Sequence, residues 1–316
     1  MIGFITQVIQ NRNHPQEVIQ AAIEREEKNM IDNGIVAVGD ISNTTDSFFQ
    51  KQKEHLFYYT FVEYFDMFQK ERTASIIEQY DSVFHKLTTT EKNKISKVPH
   101  APYSVSEQLF SYLIEQQQAK TISIHNQETR AENELFLKKT GDFIAFYAQF
   151  DLQTTEIPNT NHASIYYALK FLHQKNKNLF VHNTLTVKED IEAAHQQLGK
   201  ENVFWATCPN ANLYIENQLP NYRNFIETNA QVCIGTDSLT SNWKLNILEE
   251  MKTILKYQSY LSFEEVLTWA TLNGAKALGF DAVLGSIEVH KMPGLVWIDN
   301  IENGMLTNQS SSKRII

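Results

Sequence analysis

Cysteine is scarce. Cys208 and Cys233 are the only two in 316 residues, which argues against a disulfide framework and for a reducing, cytoplasmic setting. No basic segment followed by an apolar stretch opens the chain, and no apolar run approaches the roughly 18 residues that a bilayer span requires. Neither secretion nor membrane insertion is expected. Positive charge is also in deficit, with 28 basic against 37 acidic residues and a formal charge of -9. Nucleic-acid affinity rests on Lys and Arg neutralising phosphates, so such a partner is disfavoured and a small-molecule substrate is expected. There is no internal repeat, and low complexity is confined to the polar stretch Ser310 to Lys313, read as a frayed end.

What the chain does have is apolar sequence, 42% of its residues, enough to bury a large core within one barrel-sized domain. β-Branched and aromatic enrichment predicts seven strands, at 34 to 40, 56 to 64, 94 to 100, 121 to 126, 178 to 183, 203 to 208 and 232 to 237. Helical patterns separate them. One helix is predicted from about Pro15 to Ile31, and three more carry the hydroxyl and glutamate spacing of a capping box: Ser104 with Glu107, Thr186 with Glu189, and Ser262 with Glu265. Alternating strands and helices predict parallel pairing through crossovers, hence an α/β fold of (β/α)8 TIM-like type. Seven strands leave that barrel one short. The deficit falls at the front, where Gly3 to Ile9 and the first helix have no strand before them. After the last barrel helix, near Thr271 to Leu278, the segments Gly285 to Val289 and Leu295 to Ile298 read as a hairpin around Pro293-Gly294. The division expected is a barrel over 1–280 and the strands of a small β module over 281–316.

Several apolar runs end in a reactive side chain. Ile122-Ser123-Ile124 stops at His125, Leu179-Phe180-Val181 at His182, and Val232 to Thr236 at Asp237. Short buried strands that each deliver one polar group at the carboxyl end are how such barrels build active sites. His125 and Glu128, three residues apart, suit a metal ligand beside a proton shuttle. Taken alone, that pair is as well explained by a core histidine and a helix-start acid. Asp237 follows an apolar strand and so needs a partner such as a cation. His100, held between Pro99 and Pro102, is a substrate-contact candidate, with loop packing the equal alternative. Asp40 and Glu63 also lie at strand ends, where one of them can serve as a helix cap. The remaining histidines, at 14, 55, 85, 162, 173, 195 and 290, read as surface residues.

The motifs His125-Asn126-Gln127-Glu128-Thr129, Val181-His182-Asn183, Cys208 to Leu213, and Ile234 to Asn242 resemble the amidohydrolase superfamily, specifically its deaminase and chlorohydrolase branch. His100-Ala101-Pro102-Tyr103 and the Leu284 to Gly294 tail fit the same pattern, so the resemblance runs from about Gly3 to the end. It implies one divalent metal, zinc or iron, on His125 and Asp237, with His182 sharing in metal binding or standing beside the attacking water. Catalytic roles then fall to Glu128, His182 and Asp237, and substrate contacts to His100, Asn212 and Ser238. The implied reaction is hydrolytic deamination of an aminated heterocycle or nucleoside, with chloride or amide hydrolysis in the same site as the rival. The family's His-x-His pair occurs nowhere among the ten histidines, and Thr207 stands where many relatives carry histidine. The resemblance therefore also implies a weakly held metal, a chain that starts downstream of the first barrel strand, and a non-catalytic ligand-binding barrel as the alternative. A homodimer is expected by analogy.

Overall fold

The computed structural model describes residues 2–10, 14–116 and 119–316. Seven parallel strands follow one another in chain order: β1 (Ala37–Ile41), β2 (Phe57–Tyr64), β3 (Asn93–Pro99), β4 (Thr121–Asn126), β5 (Lys177–His182), β6 (Val203–Thr207) and β7 (Gln231–Ile234). They form a three-stranded and a four-stranded sheet that meet between β3 and β4. There the junction is held by His125 N donating to His100 O at 2.9 Å and by Ser96 Oγ donating to Thr121 O at 2.7 Å. Each of the seven strands predicted before the tail exists, with ends shifted by up to three residues.

Alternation along β2 sends Tyr59, Phe61 and Glu63 to one face and Tyr58, Thr60 and Tyr64 to the other. Tyr59 and Phe61 stack at 4.8 Å. Gly39 on β1 pairs in register with Tyr59, and a Cβ there would sit 3.0 Å from Leu278 and 3.1 Å from Phe61. Only glycine fits that approach without displacement. The helix Gly274–Leu278 lies against the amino ends of the strands: Lys94 and Lys177 donate to the carbonyls of Gly279 and Lys276, and Thr121 Oγ1 donates to Ala277 O at 2.7 Å. Cations and a hydroxyl at helix-terminal carbonyls satisfy groups that would otherwise be orphaned. This closes the amino end of the sheet with packing, and chemistry is left to the opposite end.

The helix Gln16–Asp32 appears as predicted, and the segment before it is a helix, Ile2–Gln10. No helix among the described residues is long and apolar enough to cross a membrane. Of the three capping boxes, Ser262 with Glu265 forms. The other two are displaced. Ser106, not Ser104, caps the helix Glu107–Glu115, because Ser104 Oγ is taken by His100. At Lys188–Leu198 the carboxylate of Asp190, not Glu189, receives the Val187 N–H at 3.3 Å, while Thr186 Oγ1 donates to Gln127.

The tail also differs from its reading. Residues 285–289 are not a strand. Instead β8 (Val296–Ile298) pairs antiparallel with β11 (Ser312–Arg314), and between them β9 (Ile301–Glu302) pairs with β10 (Met305–Leu306). Ser312 and Lys313, read as frayed, are thus strand residues. The tail is fastened to the entry of β1, where Val296 packs on Gly34 and Ser312 Oγ donates to Asn33 O at 3.0 Å.

Candidate functional site

Five titratable side chains sit at carboxyl ends: Glu63 on β2, His100 just past β3, His125 on β4, His182 on β5, and Asp237 three residues past β7. Four nearby non-glycine residues hold left-handed backbone, with φ of 45° at Gln127, 73° at His182, 57° at Asn183 and 55° at Asp237. Such conformations cost free energy and persist where the surroundings fix them, typically where side chains must be aimed.

His125 and Glu63 form the centre. His125 Nε2 donates to Glu63 Oε1 at 2.9 Å, and both residues are largely buried. Burial alone would depress the imidazole pKa, but the charge and hydrogen bond of Glu63, with Glu128 and Asp237 beyond it, raise it to about 9. Burial likewise opposes ionisation of Glu63, yet His100 and His125 outweigh it and its pKa is lowered. His125 Nδ1 is buried without a hydrogen-bond partner. Rings of His100 and His182 flank His125 at 5.0 and 5.2 Å, and His100 Nδ1 meets Ser104 Oγ at 2.7 Å.

His182 is held from behind. Its Nδ1 lies 2.9 Å from Asn212 Oδ1, and Asn212 Nδ2 reaches His182 O at 3.4 Å. An amide oxygen only accepts, so Nδ1 carries the hydrogen and Nε2 faces the site, 3.7 Å from Glu128 Oε1. Glu128 is buried and its pKa is raised, chiefly by desolvation and further by Asp237, against the lowering influence of His182 and His125. Behind it Glu132, fully buried, accepts from the backbone of Gln127 at 3.0 Å and of Glu128 at 3.1 Å. Burial pushes Glu132 up to about 7.

Asp237 accepts from Ser238 N at 2.7 Å and Ser241 Oγ at 2.6 Å. Ser238 is exposed, and Asn212 faces His182. Glu63, His100 and His125 place one ligand atom each within 4.8 Å of one another. Sequence reasoning left Glu63 open as a cap. The available signal was its parity with Tyr59 and Phe61 on the inward face. Asp40, its companion in that reading, turns outward to pair with the buried amine of Lys51. Ser104, Glu132 and Glu250 were not singled out for the site.

Residues 5–315 match the amidohydrolase family, and the chain belongs to that family. It is 30% identical over 241 residues to an aminodeoxyfutalosine deaminase of a Nitratiruptor species, covering 74% of this chain and 55% of that protein. An adenosine deaminase of Helicobacter pylori is 27% identical over 300 residues, 93% of this chain and 71% of the relative. Among solved structures, the Helicobacter pylori aminofutalosine deaminase superposes with a TM-score of 0.76 at 25% identity, covering 87% of this chain and 68% of that one. The chain spans little more than half the length of the first relative.

Proposed function

We propose that this chain carries the site of a metal-dependent hydrolytic deaminase acting on an aminated heterocycle or nucleoside, on a (β/α) barrel scaffold. The observation that carries the reading is the meeting of His125, His182 and Glu128 at adjoining strand ends, with Asp237 close enough to act electrostatically on both His125 and Glu128. The names of the relatives, deaminases of nucleoside-type substrates, support the substrate class.

The residues fit a divalent cation. An orphaned, buried imidazole nitrogen on His125 and three donors within 4.8 Å of one another form a donor set of imidazole and carboxylate that suits zinc or iron. Those three donors are Glu63, His100 and His125; Asp237 and His182, outside that set, would join His125 on the ion as the family resemblance implies. Lacking any His-x-His pair, the chain would bind zinc more weakly than a site with three histidines. When bound, the ion supplies Lewis acidity that brings water ionisation toward neutral pH.

The protein's own groups move the protons. Asp237 takes one from the attacking water. Glu128, whose raised pKa keeps a proton available nearer neutrality, gives one to the ring nitrogen beside the carbon under attack. His182, aimed by Asn212, stabilises the oxygen added at that carbon; Asp237 then passes its proton to the amino group, the C–N bond breaks and ammonia leaves, while Glu128 recovers its proton from the new hydroxyl as the carbonyl forms. His100 and Ser238 would serve as substrate contacts. The chain acts as a cytoplasmic protein, as a homodimer.

The test is ammonia release from adenosine and a panel of aminated purines and pyrimidines, with zinc or iron supplied. Glu128→Gln should lower turnover by about 10²- to 10⁴-fold while metal content by plasma mass spectrometry is unchanged. Loss of metal would instead place Glu128 among the ligands. No ammonia from any substrate, with metal bound, would favour a ligand-binding barrel without turnover.

A further inference from the structure

Glu250 lies in the first turn of the helix Ile247–Tyr257 and is completely buried. No Lys, Arg or His pairs with it among the described residues. A buried carboxylate without a cation is costly unless its lone pairs are filled, and burial pushes its pKa up to about 7. Its partners come from two separate segments, a helix and a loop. From the segment after β6, Asn210 donates its backbone N–H to Oε2 at 2.9 Å and its Nδ2 to Oε1 at 2.8 Å. From the segment after β7, Asn242 donates Nδ2 to Oε1 at 2.6 Å and also to Thr236 O at 2.8 Å.

The amide orientations are over-determined. Thr253 Oγ1 donates to Asn210 Oδ1 at 2.6 Å, which leaves Asn210 only its NH2 to offer the carboxylate. Everything reaching Glu250 is a donor, so the site demands an acceptor on both oxygens. Thr236, whose carbonyl Asn242 grips, immediately precedes Asp237. Ser241, which donates to Asp237 Oδ2, immediately precedes Asn242. The 236–242 loop is therefore pinned at both of its ends.

We infer that Glu250 is a positioning residue that fixes Asp237 by clamping the 236–242 loop to the helix Pro209–Glu216, which bears Asn210 and Asn212. Asn212 aims His182, so one carboxylate sets two sides of the site in register. The inference deepens the reading of Asp237 as a metal-facing acid and rests on it.

Glu250→Gln puts an amide NH2 against at least one donor, and Asn242→Ala opens the same clamp from a less buried side. Amide hydrogen exchange over 236–242 and cobalt(II) titration of the whole chain read the result. Exchange over 236–242 should quicken by about tenfold or more in both variants, with the remainder of the helix Ile247–Tyr257 as protected as before. The cobalt midpoint should weaken by about 10- to 100-fold, the scale for groups that orient ligands. Glu250→Asp, keeping an acceptor, should restore part of both. Unchanged exchange in both variants overturns the clamp. Faster exchange with an unchanged cobalt midpoint, where Asp237→Asn weakens it, overturns the positioning role. If Asp237→Asn itself leaves cobalt binding unchanged, the metal-facing reading of Asp237 fails instead, and exchange alone decides whether Glu250 holds the loop.

Discussion

Replacing Glu63 by Gln removes the charge that sets the protonation of His125. In the metal-free chain the pKa of His125 is raised to about 9 against burial, with Glu63 the largest favourable contributor at 2.9 Å. From the ordinary value of 6.5 the rise corresponds to an interaction on the order of 3 kcal/mol, at about 1.4 kcal/mol per pKa unit. Without Glu63, burial dominates and the pKa should fall by about 2 to 3 units. The sign for stability follows. A raised imidazole pKa stabilises the fold fully below the unfolded value, near 6.5, and the contribution fades as pH rises through about 9. Glu63→Gln should therefore be most destabilised near pH 6, and the deficit should shrink by pH 10. Imidazole resonances of His125 followed by NMR titration, with urea unfolding at both pH values, make the measurement. A His125 pKa still near 9 in the variant would refute the reasoning, because some other group would then be holding the proton.

Other consequences can be checked with standard assays. Asn212→Ala leaves His182 Nδ1 without its acceptor in a buried position, and should cost about 1 to 3 kcal/mol in denaturant unfolding; a loss within experimental error would mean that the amide does not orient the ring. Glu132, raised by burial to about 7 from 4.5, binds a proton more tightly folded than unfolded, so its contribution to stability falls as pH rises from about 4.5 to 7. Glu132→Gln should flatten that part of the stability profile; a slope identical to the parent would show that Glu132 is ionised throughout. Leu113, fully buried on the helix Glu107–Glu115, should cost about 2 to 5 kcal/mol when changed to Ala, and a smaller loss would show that this layer repacks.

The strands that carry the site were legible because β4, β5 and β7 are apolar runs bounded by one polar side chain, a pattern that needs no long-range information. His125, His182 and Asp237 could be named for that reason, and His100 from Pro99 and Pro102 around it. Glu63 and Asp40 look alike as acids at strand ends, and the parity of Glu63 with Tyr59 and Phe61 is the one sequence signal that sets them apart. The fold shows one turned inward to His125 and the other outward to Lys51. The displaced caps have a similar cause. Ser104 and Ser106 both stand before the same helix, and the choice between them was made by His100, four residues from Ser104 and across a turn. The Asn212 contact with His182 joins residues 30 apart, and the Glu250 clamp joins residues 40 apart; spacing in sequence carries no trace of either. In the tail, Pro293-Gly294 reads as a hairpin centre, yet β8 pairs with a strand beyond two further short ones. Turn chemistry marks where a chain bends, not which segment it then meets.

The decisive point is whether His125 and Asp237 belong to one divalent-cation site. Cobalt(II) titration followed by visible absorption tests this without any assumption about substrate. The parent chain should show d–d bands that saturate at about one equivalent, the stoichiometry of a mononuclear site, and both His125→Ala and Asp237→Asn should abolish or strongly weaken them. Bands that survive Asp237→Asn unchanged, or no saturable bands at all, would contradict it.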